Sequence, residues 1–281
     1  MRIILSRKGL DSGVCDLNNL LLTDANNKQH LIMIPIPSKN GKDSYDNLSL
    51  SQDKNVSNVA KSYLSQSKII SRESLCHADP NIINFYNEPV FLGSIGQVDQ
   101  SQSHLKNKNI KEGDLIIFFG VFNNGSVKKA NLEVQKNNPK HIMFGYMQIG
   151  EIIETNNLKR NREEIEKQYP WITKQPHWNG YEHRKNNCIY VASENCSFDN
   201  TIKGFGVFEF NENLILTRDN DNCLTHWNLP KELSGLEISY HSTKSHKDGY
   251  FQSACRGQEF VIEENKKAEE WAINLIKSYK K

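Results

Sequence analysis

Asp114-Leu115-Ile116-Ile117-Phe118-Phe119-Gly120-Val121-Phe122 is the clearest strand in the chain. A continuous apolar run entered through Gly113 reads as a strand covered on both faces, and therefore as central in a sheet. Its expected partner is 142–153, which includes Phe144, Tyr146, Met147 and Ile149. The Asn- and Lys-rich stretch between them, 123–140, reads as a mobile hairpin loop. Arg2-Ile3-Ile4-Leu5 forms a short strand that runs into Ser6-Arg7-Lys8-Gly9, with Asp11 and Ser12 beyond, so these polar side chains stand at a strand end. A further strand is expected at His30-Leu31-Ile32-Met33-Ile34, stopped by Pro35 and Pro37 because proline cannot donate to the ladder.

Farther along, 38–55 is a polar loop and 56–67 has helical spacing. Asp79 can cap a helix whose first turn starts at Pro80, and 93–105 reads as loop followed by helix. A charged helix over 158–168 is stopped by Pro170. Strands are expected at 188–192, 206–210 and 214–217, with one more running into Ser239-Tyr240-His241. Trp271, Ala272, Leu275 and Ile276 mark a helix over 268–279. Hairpin-like strand neighbours mixed with helices predict an α+β fold: one domain over 1–281, with a mixed, largely antiparallel sheet or partial barrel, flanking helices and a C-terminal helix.

Composition narrows the function. The 281 residues carry 35 Lys+Arg against 33 Asp+Glu, a formal charge of +2, so bulk electrostatics cannot hold the chain on nucleic acid and any such contact is a local patch. Mean hydropathy is −0.65, yet 12 Phe, 10 Tyr and 4 Trp suffice to close a core. No apolar run approaches the roughly 20 residues of a membrane span. Six cysteines are spread without a two-residue gap, which reads as free thiols in a reducing compartment and a cytoplasmic protein. Walker, dinucleotide-glycine, zincin and nucleophile-elbow signatures are missing.

The remaining signal is polar residues at the ends of apolar runs. Arg7 and Lys8, with Asp11, can hold a phosphate or carboxylate, or form a basic turn paired to Asp11. His77 and Asp79 can ligate iron together with a distant histidine. A helix cap is the simpler role for Asp79, and no metal ligand is assigned. His177, His183, His241 and His246 are candidates for acid–base work, or satisfied histidines. Trp171, Trp178 and Tyr181 surround Pro176-His177 in an aromatic loop that can stack a base or pack on the core. Glu259, before an apolar strand, can act as a general base or stabilise a cationic sugar, or simply face solvent.

Taken in order, Ser6-Arg7-Lys8-Gly9 with Asp11-Ser12, Pro35-Ile36-Pro37, His77-x-Asp79-Pro80, Gly96-Gln97, His104-Leu105, Gly113-Asp114-Leu115, Gly145-Tyr146, Pro176-His177, Tyr190-Val191-Ala192, Ser239-Tyr240-His241 and Gly257-Gln258-Glu259-Phe260-Val261 resemble the third nucleotide modification-associated domain family. The resemblance covers nearly the whole chain. It implies a bacterial or phage protein that modifies nucleotides or DNA bases, often in phage–host conflict, with partner proteins from a modification or defence operon. Gln175 stands where the family pairs a histidine with His177, which tells against a scheme needing two histidines in that loop.

Two narrower resemblances diverge. Arg256-Gly257-Gln258-Glu259-Phe260-Val261 is similar to the catalytic-glutamate segment of DNA-targeting ADP-ribosyltransferases of the DarT type, which implies NAD as donor, Glu259 as catalyst and Arg7-Lys8 on the pyrophosphate. The strands at 113–119 and 145–151 are similar to those of PUA-like barrels, including EVE domains that grip modified bases, which implies a reader without chemistry. The expectation is a site with Glu259, His77, His177 and His241 as catalytic residues. Arg7, Lys8, Asp11, Asp79, Gln97, His104, Trp178 and Gln258 would contact a nucleotide or DNA. A reader would stack its base on Trp178 or an aromatic near Phe119. No cofactor is assigned from the residues themselves.

Overall fold

The computed structural model describes every residue except Ser12, Lys129, Ala130, Glu182, Asn220, Asn222, Arg256, Gly257 and Gln258. The fold is α+β, built on a mixed sheet, and the chain forms two compact units: Met1–Ile34, Leu115–Tyr146 and Val207–Lys281 make the first, Pro35–Asp114 and Met147–Gly206 the second.

In the first unit the strand Ile3–Arg7 lies between Glu259–Ile262, antiparallel, and Leu115–Lys128, parallel, with Ile3 opposite both Ile262 and Leu115. Leu115 to Phe119 are buried, as expected of a central strand. The described residues of the run 123–140 are not a loop. Leu115–Lys128 and Asn131–Glu154 both continue through it as long neighbouring strands. The reason is a partner that polar composition hides: Asn19–Thr23 pairs in parallel with the outer half of Leu115–Lys128, Leu21 opposite Asn124, and pairs antiparallel with Gln29–Ile32. Main-chain hydrogen bonds do not depend on whether Asn or Val supplies the backbone. The helix Lys266–Tyr279 is capped by Asn265, which accepts from the amides of Lys267 and Ala268, and it buries Ala268, Trp271, Ala272, Leu275 and Ile276. The segments expected as strands at 214–217 and toward His241 have only isolated bridges, Ile215 to Ile142, Thr217 to Trp227 and Ile238 to Ile262.

In the second unit the end of Asn131–Glu154 pairs antiparallel with Cys188–Ala192, which pairs antiparallel with Ser94–Gln97. Gly96 and Gln97 are therefore in a strand rather than a loop, and Asp99–Asn107 follows as the expected helix. Ile153, Ile165, Trp171, Ile172, Trp178, Ile189 and Val191 form the core beneath. A small sheet joins Ile36–Pro37, Leu75–His77 and Asp43–Ser44. The helices Lys54–Leu64, capped by Asp53, and Arg162–Gln168, capped by Asn161, lie where helices are expected, the second starting at Arg162 rather than Leu158. No helix starts at Pro80: the Asp79–Pro80 bond is cis and Asn81 bridges to Ser94. In neither unit does the sheet close on itself as a barrel among the described residues. Among the described residues no helix is long and apolar enough to cross a membrane, and all six cysteines carry free thiols.

Candidate functional site

His77 ends the strand Leu75–His77 and is half-buried. His177 enters from the short helix Pro176–Asn179 and is buried. Their Nε2 atoms face each other at 3.2 Å. The two approach because Gly96, in the neighbouring strand, has no side chain: a Cβ there would lie 2.0 Å from His177 Cδ2 and 2.1 Å from Cγ.

The tautomer of His177 follows from its other nitrogen. Nδ1 lies 2.8 Å from Asn187 Oδ1, while the amide nitrogen of Asn187 donates to Thr155 Oγ1 at 2.6 Å and to the carbonyl of His177 at 2.7 Å. With its NH2 committed as donor, Asn187 presents oxygen to the ring, so His177 carries its proton on Nδ1 and turns the Nε2 lone pair toward His77. Tyr181 stacks flat on His177, centroids 4.4 Å apart at 5°, and its hydroxyl lies 3.4 Å from His77 Nδ1. Partial burial first, then the charge of Asp79, raises its phenol pKa.

Asp79 is buried, and its Oδ1 accepts from the Gly96 amide at 2.8 Å and from Gln175 Nε2 at 2.7 Å. Gln175 also accepts the His177 amide at 3.1 Å through its side-chain oxygen. The residue that departs from the paired-histidine pattern is thus the link between Asp79 and the His177 backbone, and the histidine facing His177 comes from a distant strand. One donor atom each from His77, Asp79 and His177 lie within 4.8 Å of one another.

The other expected residues of this unit stand differently. Gln97 is buried at the strand end opposite Cys188. His104 sits half-buried on the helix Asp99–Asn107. Trp178 is 1% exposed, donates to Glu166 at 2.7 Å and lies under the Arg162 guanidinium at 4.2 Å, so it fills the core and offers no open face for stacking a base.

The remaining expected residues form a cluster in the first unit. Glu259 is 3% exposed and accepts from Lys8 Nζ at 2.9 Å and from Ser6 Oγ at 3.4 Å. Arg7 donates to the Cys255 carbonyl at 3.2 Å and approaches Asp11 at 3.9 Å, and Asp11 caps the turn through the Gly13 amide. Asn19, which sequence reasoning passed over, ties this turn together: its Oδ1 accepts from the amides of Leu10 and Ile34, and Gly9, at φ +82°, leaves room for it. His241 places Nδ1 at 2.9 Å from the Ser239 carbonyl and accepts the Ala254 amide on Nε2 at 3.0 Å, which makes it neutral, and burial lowers its pKa. Phe119 is fully buried against Trp227 and Phe260. Gln258, with Arg256 and Gly257, lies outside the described residues.

Each unit therefore collects one group: Arg7, Lys8, Asp11, His241 and Glu259 in the first, His77, Asp79, Gln97, His104, His177 and Trp178 in the second. Glu259 is spent in an ion pair, whereas the second group has two imidazoles and a carboxylate turned toward one point, where half-buried His77 and the neighbouring half-buried Tyr181 stand within reach of solvent. Against known proteins, the family model for nucleotide modification associated domain 3 matches residues 2–263. No curated protein and no solved structure gives a significant match.

Proposed function

The chain belongs to the nucleotide modification associated domain 3 family, and from that premise we propose that it modifies a nucleotide or a nucleobase at the cluster of His77, Asp79 and His177. The observation that carries this reading is the convergence of those three side chains, with Tyr181 beside them, at the open end of a buried hydrogen-bond network. Networks that fix a tautomer and a carboxylate at one point are how a protein prepares groups for chemistry rather than for packing. A base entering beside Tyr181 would meet an aromatic face and donors from a histidine edge. DNA is the expected setting of the base, and the partners are those of a modification or defence operon, of bacterial or phage origin, acting in the cytoplasm of the cell.

A second reading, NAD-dependent transfer of ADP-ribose with Glu259 as catalyst, is supported by one observation. Tyr240, exposed beside Glu259, holds a left-handed backbone at φ 65°, a strained conformation of the kind that gathers at functional sites. Against it stands the Lys8 ion pair, which occupies Glu259. A base reader of the PUA or EVE kind has less support, since Trp178 and Phe119 are both enclosed.

The test is to incubate the purified protein with DNA or free nucleotides, with and without NAD, and to follow every nucleoside by mass, with His77→Gln and Glu259→Gln in parallel. A new mass lost in His77→Gln and kept in Glu259→Gln supports the proposal. An NAD-dependent mass lost only in Glu259→Gln would replace it with the second reading. Tight binding of a modified base with no new mass would replace both with a reader.

A further inference from the structure

We infer that His77, Asp79 and His177 form a binding site for one divalent first-row transition-metal ion. This deepens the proposal above and rests on the same cluster being the reactive centre.

The first argument is distance. Imidazole nitrogens bind such ions at about 2.0–2.1 Å, so two nitrogens 3.2 Å apart subtend an angle of about 100° at a shared ion. That lies between the octahedral and tetrahedral values, and a carboxylate oxygen of Asp79 falls in the same small volume. The second argument is the lone pair: the Asn187 network puts the His177 proton on Nδ1 and leaves Nε2 as a base aimed at His77. A ligand histidine that donates its other N–H to a carbonyl oxygen is the usual outer arrangement of metal centres. The third is Asp79, whose two donors both go to Oδ1 and so fix the plane of the carboxylate. Two imidazole nitrogens and a carboxylate oxygen are a complete three-ligand face for such an ion.

The donor set also indicates which ion. Two nitrogens and one oxygen suit Fe(II), Mn(II), Co(II) or Zn(II). Cys76, next in sequence to His77, turns its sulfur to the Asp43 carbonyl at 3.5 Å and is not among the donor atoms that converge on the site. Three protein ligands leave positions open for substrate or water, the pattern of a catalytic rather than a structural ion.

The full chain, stripped with chelator, is titrated without oxygen with Co(II), whose visible bands report coordination, and Zn(II) and Fe(II) are then used as competitors. One ion per chain is expected, with affinity falling about tenfold or more in His77→Gln and in Asp79→Asn. Asn187→Leu, which removes the acceptor of the His177 Nδ1 proton, should weaken binding in the same way. Circular dichroism and melting of each variant separate loss of ligands from loss of fold. X-ray absorption of the Zn(II)-loaded wild-type chain should show nitrogen and oxygen ligands and no sulfur. Failure to take up any of the three ions, uptake unchanged by both ligand substitutions, or sulfur scattering overturns the inference. Nucleoside masses from the chelated protein separate the two claims. Activity that survives chelation yet is lost in His77→Gln keeps the reactive centre and removes the ion, whereas stoichiometric, histidine-dependent binding without any nucleotide chemistry or binding does the reverse.

Discussion

Replacing Gly96 with alanine sets a methyl group against the ring of His177. The added Cβ would lie 2.0 Å from Cδ2, 2.1 Å from Cγ and 2.7 Å from Nε2, while carbon atoms in contact rest about 3.5–4.0 Å apart. The ring must therefore move by about 1.5 Å. Its Nδ1 bond to Asn187, at 2.8 Å, and its 3.2 Å approach to His77 cannot both survive such a shift. Overpacking of this kind costs about 1–3 kcal/mol. Against that, alanine in an extended strand gains roughly 0.5–1 kcal/mol over glycine from the unfolded chain. In a His177→Ala background the obstruction is gone and the gain alone remains, so Gly96→Ala becomes neutral or stabilising there. The coupling between the two positions is then about 1–3 kcal/mol. Urea unfolding followed by tryptophan fluorescence, with equal m values across the four proteins, measures it. Equal costs of Gly96→Ala in both backgrounds would show that His177 does not lie against Gly96, and the site geometry would fall with it.

The buried pair of Lys8 and Glu259 supplies another test. Glu259→Leu alone should cost about 3–5 kcal/mol because it strands a largely buried ammonium, and Lys8→Met together with Glu259→Leu should recover most of that. A double variant that is stable and keeps nucleotide chemistry assigns the pair to the fold. His141 has its pKa pushed down to about 3, by burial first and by the Arg7 charge second. The unfolded chain takes up a proton near pH 6.5 that the folded chain refuses, so this contribution is whole above pH 6.5 and is lost as pH falls toward 3, by up to about 1.4 kcal/mol per pH unit. His141→Gln, which keeps an acceptor for the Trp227 indole, should flatten the melting-temperature profile between those limits. Among the thiols, exposed Cys255 should react at once with a maleimide in the native protein. Cys76, Cys188 and Cys196, each buried beside an acidic group that helps push its pKa up to about 12, should react only after unfolding, as peptide mapping of the labelled protein would show. Finally, Asn19→Ala takes away the acceptor of the buried Ile34 amide, at about 1–3 kcal/mol, and hydrogen exchange there should accelerate, whereas the Leu10 amide keeps the Ile34 carbonyl at 3.0 Å and should be less affected.

The amino-acid sequence by itself determined what depends on near neighbours along the chain. The central strand at Leu115, the strand Cys188–Ala192, the helices over Lys54–Leu64 and Lys266–Tyr279, and the α+β class follow from apolar spacing and caps, which act within one or two turns. His77, Asp79 and His177 were legible as reactive residue types. Their union was not, for it depends on register: Gly96 sits over His177 because Ser94–Gln97 pairs with Cys188–Ala192, and Asn187, a residue with no motif around it, happens to precede that strand. Asp79 read locally as a helix cap, but its carboxylate is claimed by donors from 17 and 96 residues away. The polar stretch 123–140 read as a loop because side-chain pattern reports burial, whereas a ladder to Asn19–Thr23 needs only backbone. Tertiary structure alone decided which polar residues share a point, because contacts between distant segments are set by strand pairing and backbone clearance, which leave little trace in the residues that make them.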